Sequence, residues 1–565
     1  MPQSWDLSRH IQLAVLMLIL MGIIAITVRV DFWEDYSSRS ISKDAEEMQK
    51  LIANQQETLR EDEDRRKMTK IKEIEGRRAV LEPVILANDT DLEVLLQSYD
   101  IAVPHPSKPW NLSDTEYLLS VKGQSDWMNL LTQPEDRPNF KSLTMQERTY
   151  KALFQYLDEL QSNGKDIQQP PFKDTWELFL QLETVLYPWL HLQYISLFDA
   201  QKQSKGAGMI FCVGNDQFYH AATTIRSIRE AHKSNIPIEI FYINDDDLSE
   251  VKRQYFETEF TNVKTVDLSQ YIDDTWTQFG GWAMKPFAIL ASSFTEVILS
   301  DADVFFFKKP ESFLEDAGYK KTGSLFFYDR TLFADWDGGR KWMLSFLPTM
   351  SSLVRKTRWF TLRSSHEQES GVVVIDKRKA ALGLMSTCKM NDKRERDEVT
   401  YDRVHGDKET FWVGYEMMQT PYAFVSSYGA VIGGLGDGGE PTRVCGNQLH
   451  LGVDGRPWWW NGGLLRDKNR WPDRYMKFTH FAEGEDWDFE TSCIVEEDGI
   501  KELTKQEKTL TESFLILDAK RKKDQLAMHD GTWKPSSAGN TSGHNAKVAF
   551  SPDEDTTDMP ESDED

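Results

Sequence analysis

Glu296-Val-Ile-Leu-Ser-Asp301-Ala-Asp303-Val-Phe-Phe-Phe307 is an apolar segment that carries two aspartates one residue apart. The residues before Asp301 are typical of a buried strand. Because side chains two apart on an extended chain point the same way, Asp301 and Asp303 can bind one cation or one diphosphate together. Carboxylates suit Mn²⁺ or Mg²⁺, the usual partners of nucleotide phosphates, so the segment predicts a metal and phosphate site.

The Asp-x-Asp pattern alone is a weak signal, because it recurs in this acidic chain and a structural turn can also explain it. Only at Asp301 do four residues of strand type precede the pattern, and open α/β sheets bind ligands at the carboxyl ends of buried strands. The other occurrences, which we interpret as surface or turn residues, begin at Asp62, Asp89, Asp245, Asp335, Asp486, Asp553 and Asp563.

Length and charge limit the class of protein. The chain has 565 residues, 40% of them hydrophobic, which is enough for two or three domains and a large core. Its net charge of −25 argues against a surface for nucleic acid or anionic membrane, since phosphate backbones are bound by clustered Lys and Arg. An anionic nucleotide would therefore need a local metal and a few lysines.

The N-terminal residues predict a membrane anchor. Residues 11–28 are almost free of polar groups, so we assign a transmembrane span to residues 11–30. A cleaved signal peptide is the alternative, but Arg29-Val-Asp-Phe-Trp-Glu follows in place of a small-residue cleavage site. The flanking charges leave the orientation open, while acceptor sequons permit a lumenal body and lie at Asn88, Asn111 and Asn540.

Three further segments flank a central region. Residues 31–90 predict a helical stem, for which a solvated spacer and a coiled-coil dimer are both open. Residues 91–205 show helical periodicity in places and predict an accessory helical region. Residues 496–565 predict a helix and then a disordered acidic tail, because the last fifteen residues hold eight acidic residues and no Lys or Arg.

Residues 206–495 alternate between strand and helix patterns, which predicts an α/β domain with a parallel, helix-flanked sheet. Glycines between residues 429 and 439 predict a loop region near the ligand. Cys212 is interpreted as a buried thiol, and one disulfide can form among Cys388, Cys445 and Cys493. The predicted strands are residues 208–213, 238–242, 263–266, 297–300 and 371–375. The predicted helices are residues 220–231, 285–293 and 407–418.

Four ordered motifs in this region resemble those of one enzyme family. The first is Trp282-Ala-Met-Lys285-Pro-Phe, which leads into the segment with Asp301 and Asp303. The others are Glu369-Ser-Gly-Val-Val-Val-Ile-Asp376, Gly406-Asp-Lys-Glu-Thr-Phe-Trp412 and His450-Leu-Gly-Val-Asp-Gly-Arg-Pro-Trp-Trp-Trp-Asn461-Gly-Gly. With these motifs the chain resembles the fungal Golgi α-mannosyltransferases of glycosyltransferase family 71.

The resemblance implies a retaining, metal-dependent α-mannosyltransferase with an α/β, A-type nucleotide-sugar glycosyltransferase fold and a Rossmann-like mixed sheet. It also implies a single-pass type II Golgi membrane protein, with residues 1–10 cytosolic and the catalytic domain of residues 206–495 lumenal. The implied donor is GDP-mannose, the implied cofactor is Mn²⁺ or Mg²⁺, and the implied acceptor is a mannose residue of a glycoprotein glycan.

An α-1,3 bond is the expected product of that reaction. The alternatives are an α-1,2 bond, another nucleotide-sugar donor, or a catalytically silent membrane-tethered scaffold. The stem is a candidate contact within a mannosyltransferase complex, and no nucleic-acid partner is expected.

The same resemblance assigns metal and phosphate ligands. Asp301 is expected to contact the ribose and the metal, and Asp303 is expected to be the stronger metal ligand. His450 is the expected third ligand, with His480 as its competitor and a hydrogen-bonded loop histidine as the structural alternative. Lys285 is expected to pair with a phosphate or, alternatively, to lie on a helix surface.

Two further segments are candidates for nucleotide contact. Asn215 and Tyr219 are expected to contact the nucleotide, with roles in a turn and in packing as equal alternatives. The run Asp245-Asp-Asp247 either approaches the guanosine or supplies a helix N-cap at Asp246 or Asp247, which we prefer.

Retention of configuration allows two routes. One is double displacement through a carboxylate nucleophile, and the other is same-face substitution in which the leaving phosphate takes the acceptor proton. We favour the second, because it needs mainly positioning and charge stabilisation from the protein. Asp407 and Glu369 are then the candidate catalytic carboxylates, with a helix cap as the alternative for Asp407. The candidates for an acceptor platform, or for the core, are Trp458, Trp459, Trp460 and Trp471.

Overall fold

The computed structural model describes residues 96–102, 137–436, 441–466, 474–496 and 498–535. The predicted membrane anchor, the stem and the acidic tail after residue 535 lie outside the described residues, as do the three sequons and Trp471. Within the described ranges, no helix is both long enough and apolar enough to cross a membrane.

Strands and helices alternate through the middle of the chain, as the sequence predicts. The strands are β1 (Tyr99–Ala102), β2 (Ala207–Cys212), β3 (Ile238–Tyr242), β4 (Val263–Asp267), β5 (Glu296–Ser300), β6 (Phe305–Phe306), β7 (Ser324–Tyr328), β8 (Gln368–Asp376), β9 (Tyr422–Val425), β10 (Ala430–Leu435), β11 (Val444–Leu451), β12 (Pro457–Asn461), β13 (His480–Ala482), β14 (Trp487–Asp488), β15 (Cys493–Ile494) and β16 (Ile500–Glu502). The α-helices are α1 (Phe140–Ser162), α2 (Lys173–Leu186), α3 (Leu197–Gln203), α4 (Phe218–Arg226), α5 (Asn244–Asp247), α6 (Glu250–Glu259), α7 (Asp274–Thr277), α8 (Lys285–Ala291), α9 (Ala317–Thr322), α10 (Asp337–Phe346), α11 (Lys377–Asn391), α12 (Lys393–Glu398), α13 (Lys408–Met417) and α14 (Lys505–His529).

Eight of the described strands form a mixed sheet in the order β1-β9-β7-β8-β5-β2-β3-β4. The neighbours β5, β2, β3 and β4 are parallel, as predicted for strands joined by helical crossovers. β8 enters between β5 and β7 and is antiparallel to both. The mixed sheet implied by the family resemblance is therefore confirmed, whereas the wholly parallel sheet predicted from the alternation is wrong.

The direction of β8 could not be predicted from its composition. All nine of its residues are buried, because the strand lies inside the sheet and is covered on both faces. A strand of this kind forms a continuous apolar run in either direction.

The second sheet collects the short C-terminal strands in the order β14-β15-β11-β10-β13-β16, and β12 joins β11 to β6. Residues 430–435, which were predicted as part of a loop, instead form β10. Glycine fits there because a Cβ on Gly433 would lie 2.0 Å from the carbonyl oxygen of Cys445 on β11. Cys445 forms the disulfide with Cys493, while Cys388 is a buried free thiol and Cys212 a half-buried one.

The region of residues 91–205 contributes more than helices. α1 and α2 pack through aromatic side chains, with the rings of Tyr150 and Phe179 stacked at 5.0 Å. β1 pairs antiparallel with β9 and forms an edge strand of the mixed sheet. The described part of this region thus adds an edge strand to the mixed sheet.

Two buried carboxylates in α1 and α2 make the stability of the protein depend on pH. Burial raises the pKa of Glu147 from its ordinary value of 4.5 to about 7, and that of Glu183 to about 8. Because the folded state holds protons that the unfolded state releases, both groups stabilise the fold fully below about pH 4.5. This stabilisation is lost as the pH rises through their folded-state pKa values.

We expect the free energy of unfolding to fall as the pH rises from about 4.5 to about 8, and Glu183→Gln to reduce that fall by about 1 to 3 kcal/mol. Glutamine cannot ionise, and it keeps an oxygen that accepts from the Tyr150 hydroxyl and the Leu197 amide. Glu177→Gln, an exposed substitution on the same helix, is the control. Calorimetry across this range measures the effect, and an unaltered pH profile in Glu183→Gln would contradict the assignment.

Candidate active site

A cavity of about 1020 Å³ opens where β2, β3 and β5 end and antiparallel β8 begins. Its lining is acidic, with seven carboxylate side chains and three basic ones. The acidic residues are Asp216, Asp246, Asp247, Asp301, Asp303, Glu369 and Asp407, and the basic residues are Lys285, Arg330 and Lys408. The sheet therefore places the ligand-binding space where the sequence predicts it.

Asp301 and Asp303 follow β5 directly, and both line the cavity. The Asp301 amide donates to the carbonyl of Gly371 on β8 at 2.8 Å, which continues the strand pairing past β5. The carbonyl of Asp303 accepts a hydrogen bond from the Gly463 amide at 2.8 Å. Because Gly463 ends the fourth family motif, the fold brings the first and fourth motifs together.

Lys285 is buried beneath Asp301. Its Nζ lies 2.7 Å from the Asp301 carboxylate and 3.8 Å from Asp407, and it donates to the carbonyl of Ser370 at 3.2 Å. Burial alone would lower the pKa of Lys285, but the two aspartates outweigh it and raise that pKa. Lys285 is thus a charged residue inside the site and not a surface lysine, while its contact with a phosphate stays a prediction.

Asp407 precedes α13 but does not cap it, because its side chain makes no capping hydrogen bond to the helix. The carboxylate faces Lys285, and its Oδ2 has no hydrogen-bond partner among the described residues. Burial raises the pKa of Asp407 to about 6, against the opposing effect of Lys285. The helix-cap alternative is wrong, and Asp407 stays a candidate catalytic carboxylate that lines the cavity.

Glu369 belongs to a buried charge network. The Lys408 Nζ lies 2.8 Å from both the Glu369 and the Asp329 carboxylates, and Glu369 also accepts from Asn461 Nδ2 at 2.9 Å. Burial acts to raise the pKa of both carboxylates, but Lys408 outweighs it and holds both below their ordinary values. Glu369 therefore presents a fixed negative charge to the cavity.

Asp329 and Lys408 were missed as site residues by the sequence interpretation. Asp329 follows β7, so it shows the same pattern of a strand followed by a carboxylate that identifies Asp301. Lys408 adjoins Asp407 within the third family motif. These signals could have marked both residues, although the pairing itself requires β7, β8 and α13 to meet.

His450 does not join the two aspartates. It lies on β11 opposite Trp459, is 1% exposed, and stacks on the Trp459 ring at a centroid distance of 3.9 Å. In the described part of the chain, the cavity lining includes neither His450 nor His480, and no group of three or more His, Cys, Asp or Glu side chains is placed to hold a metal ion. The predicted set of Asp301, Asp303 and His450 is therefore not assembled, because strand pairing directs the histidine into the core.

We expect His450→Phe to leave Mn²⁺ affinity unchanged and the free energy of unfolding unchanged or higher by about 1 kcal/mol. Burial lowers the pKa of His450 to about 4, so the ring is neutral at physiological pH. Neither ring nitrogen has a hydrogen-bond partner among the described residues, so phenylalanine removes two unsatisfied polar atoms.

The matched control is His232→Phe. The His232 Nε2 contacts the Phe306 carbonyl at 2.9 Å, and losing this bond should cost about 1 to 3 kcal/mol. Calorimetric titration with Mn²⁺ and thermal unfolding measure both variants. A loss of Mn²⁺ affinity of at least about tenfold in His450→Phe would restore His450 as a ligand.

Asn215 and Tyr219 stabilise the loop after β2 and do not line the cavity. The Asn215 side chain accepts hydrogen bonds from the Ser249 amide at 3.2 Å and from Lys252 Nζ at 3.0 Å. The guanidinium of Arg521 lies over the Tyr219 ring at 5.5 Å. The turn and packing alternatives therefore describe their contacts within the protein, and their contact with the nucleotide stays a prediction. The cavity residues of this segment are Gly214, Asp216 and Gln217.

The acidic run at residues 245–247 lies in the short helix α5, but neither Asp246 nor Asp247 is an N-cap. The N-cap residues of α5 and α6 are Ile243 and Ser249. The Asp247 carboxylate accepts the Ile243 amide at 2.9 Å, and both aspartates line the cavity. The preferred cap interpretation is wrong, and contact with guanosine stays a prediction.

The tryptophans after His450 are core residues. Trp458, Trp459 and Trp460 are buried, so the predicted acceptor platform is wrong for all three. Trp282, which is 53% exposed, is the tryptophan that lines the cavity in the described structure.

Residues 206–337 and 341–450 match the family model described as "Mannosyltransferase putative". The match runs from β2 into β11. It includes every charged side chain that lines the cavity.

Two curated relatives from Saccharomyces cerevisiae carry the name alpha-1,3-mannosyltransferase. MNN1 is 23% identical over 350 residues, which cover 51% of this chain and 45% of the relative. MNT3 is 25% identical over 303 residues, which cover 46% of this chain and 47% of the relative. The chain spans about half the length of the curated relatives it matches.

Two solved structures show weaker similarity. The mannosyltransferase Ktr4p of Saccharomyces cerevisiae is 11% identical, with a TM-score of 0.27 and coverage of 54% of this chain and 82% of that chain. The Mn/GDP form of core-mannan synthase A from Aspergillus fumigatus is 14% identical, with a TM-score of 0.25 and coverage of 38% and 71%. Over residues 206–337 and 341–450 the chain is similar to a family of mannosyltransferases, and its curated relatives include fungal alpha-1,3-mannosyltransferases.

Proposed function

We propose that this chain transfers mannose from GDP-mannose to a mannose residue of a glycoprotein glycan, and that it forms an α-1,3 bond with retention of configuration. The match to the mannosyltransferase family model supports mannosyl transfer, and the names of the relatives support the linkage. The observation that carries the donor assignment is the acidic cavity with Asp301 and Asp303 at the end of β5. The mixed sheet with its strand-end site supports an A-type nucleotide-sugar fold.

The charge of the cavity means that a diphosphate needs a cation to bind there. Carboxylates outnumber basic side chains, and both lysines already pair with carboxylates. Asp301 and Asp303 provide the oxygen ligands that Mn²⁺ and Mg²⁺ prefer, and such ions often combine one or two carboxylates with substrate phosphates. When bound, the ion would neutralise charge on the departing diphosphate.

The side chains of the cavity supply positioning and charge. Glu369, held ionised by Lys408 and oriented by Asn461, can stabilise positive charge that develops on the transferred sugar. Lys285 holds Asp301 in place through its ion pair. In same-face substitution the departing phosphate takes the acceptor proton, so this route requires no separate protein base.

We also propose a location in the Golgi membrane, with a single N-terminal span and a lumenal catalytic domain. The apolar residues 11–28 and the family resemblance support this location. Fractionation of fungal cells with protease protection of the catalytic domain tests it, and a protein that protease reaches in sealed vesicles would contradict it.

The proposed reaction is tested by incubating the full-length protein with Mn²⁺, an α-mannobiose acceptor and either GDP-mannose or a UDP-sugar. We expect transfer from GDP-mannose alone, with an α-1,3 bond in the product by NMR. The absence of both transfer and hydrolysis with GDP-mannose would contradict the proposed reaction. An α-1,2 product would contradict only the proposed linkage.

A further inference from the structure

Five aromatic rings lead from the cavity to the protein surface, and we call them the aromatic path. It begins at Trp282 and His405, which line the cavity with their ring centroids 5.4 Å apart. His405 lies 5.9 Å from His366, His366 lies 5.6 Å from Phe333, and Phe333 lies 5.3 Å from Phe489. Each step is within the distance at which neighbouring aromatic rings interact.

Burial does not account for the three largest rings of the path. Trp282, Phe333 and Phe489 are 53%, 55% and 60% exposed. Exposed apolar surface beside a cavity is a mark of ligand or partner binding. A site whose rings were needed only for packing would bury them.

Phe333 also has a strained backbone conformation. Its φ of +54° lies in the left-handed region, which is unfavourable for a bulky side chain. Because the ring is exposed, its packing stabilises the fold too little to offset this backbone strain. This combination indicates that the ring is placed for contact with a ligand.

Polar contacts hold the segments that carry the path. The Arg363 Nη1 lies 3.1 Å from the Glu485 carboxylate, which links the segment before His366 to the segment before Phe489. The Ser365 amide donates to the Leu332 carbonyl at 2.9 Å, next to Phe333. These contacts therefore connect the segments that carry the rings.

We propose that the aromatic path binds the acceptor as an α-mannosyl oligosaccharide longer than two residues, with the reacting end at Trp282 and the distant residues at Phe333 and Phe489. This inference rests on the proposed mannosyl transfer. A sugar ring has an apolar C–H face that stacks on aromatic rings and hydroxyls that bind polar neighbours, so it matches this surface. Continuity with the donor cavity favours the acceptor over a protein partner.

Phe333→Gly is the most informative variant, because glycine adopts a positive φ without strain. We expect its thermal unfolding temperature to stay level or rise, while the Kd for an α-linked mannotetraose rises about tenfold. Saturation-transfer NMR on the full-length protein, without donor, measures this Kd. Phe489→Ala should weaken binding similarly, and Phe489→Tyr should restore it.

The control is Ile516→Ala, which removes a 70% exposed apolar side chain on α14 that is not part of the path. It should bind mannotetraose as the wild type does. For α-mannobiose, which fills only the cavity end, Phe333→Gly should change the Kd less than about threefold.

Wild-type affinity for mannotetraose in both Phe333→Gly and Phe489→Ala would overturn the inference. So would variants that abolish self-association in light scattering without affecting mannotetraose binding, because the surface would then bind a second copy of the chain. The two proposals fail separately. A wild type that binds mannotetraose through the path but transfers nothing from GDP-mannose contradicts only the proposed reaction.

Discussion

Asp303→Asn is expected to lower the rate of mannosyl transfer by a factor on the order of 10³ while the thermal unfolding temperature changes little. The substitution keeps the shape of the side chain but removes the negative charge that would hold the cation against the diphosphate. Asp303 is preferred to Asp301 as the test residue, because Asp301 also balances the buried Lys285. Removing Asp301 would combine a change in catalysis with a change in the ion pair beneath it.

The control for Asp303→Asn is Asp335→Asn. Asp335 begins another Asp-x-Asp pattern but is exposed and does not line the cavity. Its φ is +67°, a conformation that asparagine tolerates well. Initial rates over a Mn²⁺ titration should separate the variants. Full activity in Asp303→Asn at every Mn²⁺ concentration would remove the metal assignment.

Lys408→Met is expected to reduce the free energy of unfolding by about 3 to 5 kcal/mol and to abolish most transfer activity. Asp329 and Glu369 are both buried, and each lies 2.8 Å from the Lys408 Nζ. Without the lysine, two carboxylates remain in a poorly solvated space with their main positive partner removed. Methionine keeps most of the side-chain volume, so the loss would report charge and not a cavity.

The pH dependence of this loss follows from the sign of the pKa shifts. Lys408 holds the pKa values of Asp329 and Glu369 below those of ordinary carboxylates. The stabilisation by Lys408 is therefore complete when the pH is above the ordinary carboxylate pKa. It is lost as the pH falls through the lowered pKa values of the folded state. Removing the lysine should therefore matter most near neutral pH and less in acid. Lys393→Met, which breaks an exposed pair with Asp397, should cost less than about 1 kcal/mol. Denaturant unfolding with equal losses for both lysine variants would contradict the buried network.

The local sequence pattern was sufficient to locate Asp301 and Asp303 at the end of a buried strand. An apolar run that ends in carboxylates defines both a buried strand and the edge where a parallel sheet binds ligands, and Asp301 and Asp303 do line the cavity. Helix signals near Lys285 and Lys408 were equally local, and both helices form there. The roles of the two lysines depend on which strands lie opposite them.

Features that depend on pairing between distant segments could not be predicted. His450 occupies a motif that suggests a ligand, but its pairing with Trp459 turns it into the core. The glycines of β10 suggested a loop, although they permit close approach to β11. The exposed Phe333 and Phe489 come into contact only because segments distant in sequence meet in the fold.

Calorimetric titration of GDP into the full-length protein decides whether the acidic cavity binds the donor nucleotide through a cation. With Mn²⁺ present we expect a single GDP site, and with EDTA an affinity at least about a hundredfold lower, since carboxylates around Asp301 and Asp303 repel the bare diphosphate. Asp303→Asn with Mn²⁺ should behave like the wild type in EDTA. Equal GDP affinity with Mn²⁺ and with EDTA would contradict the metal-bridged site.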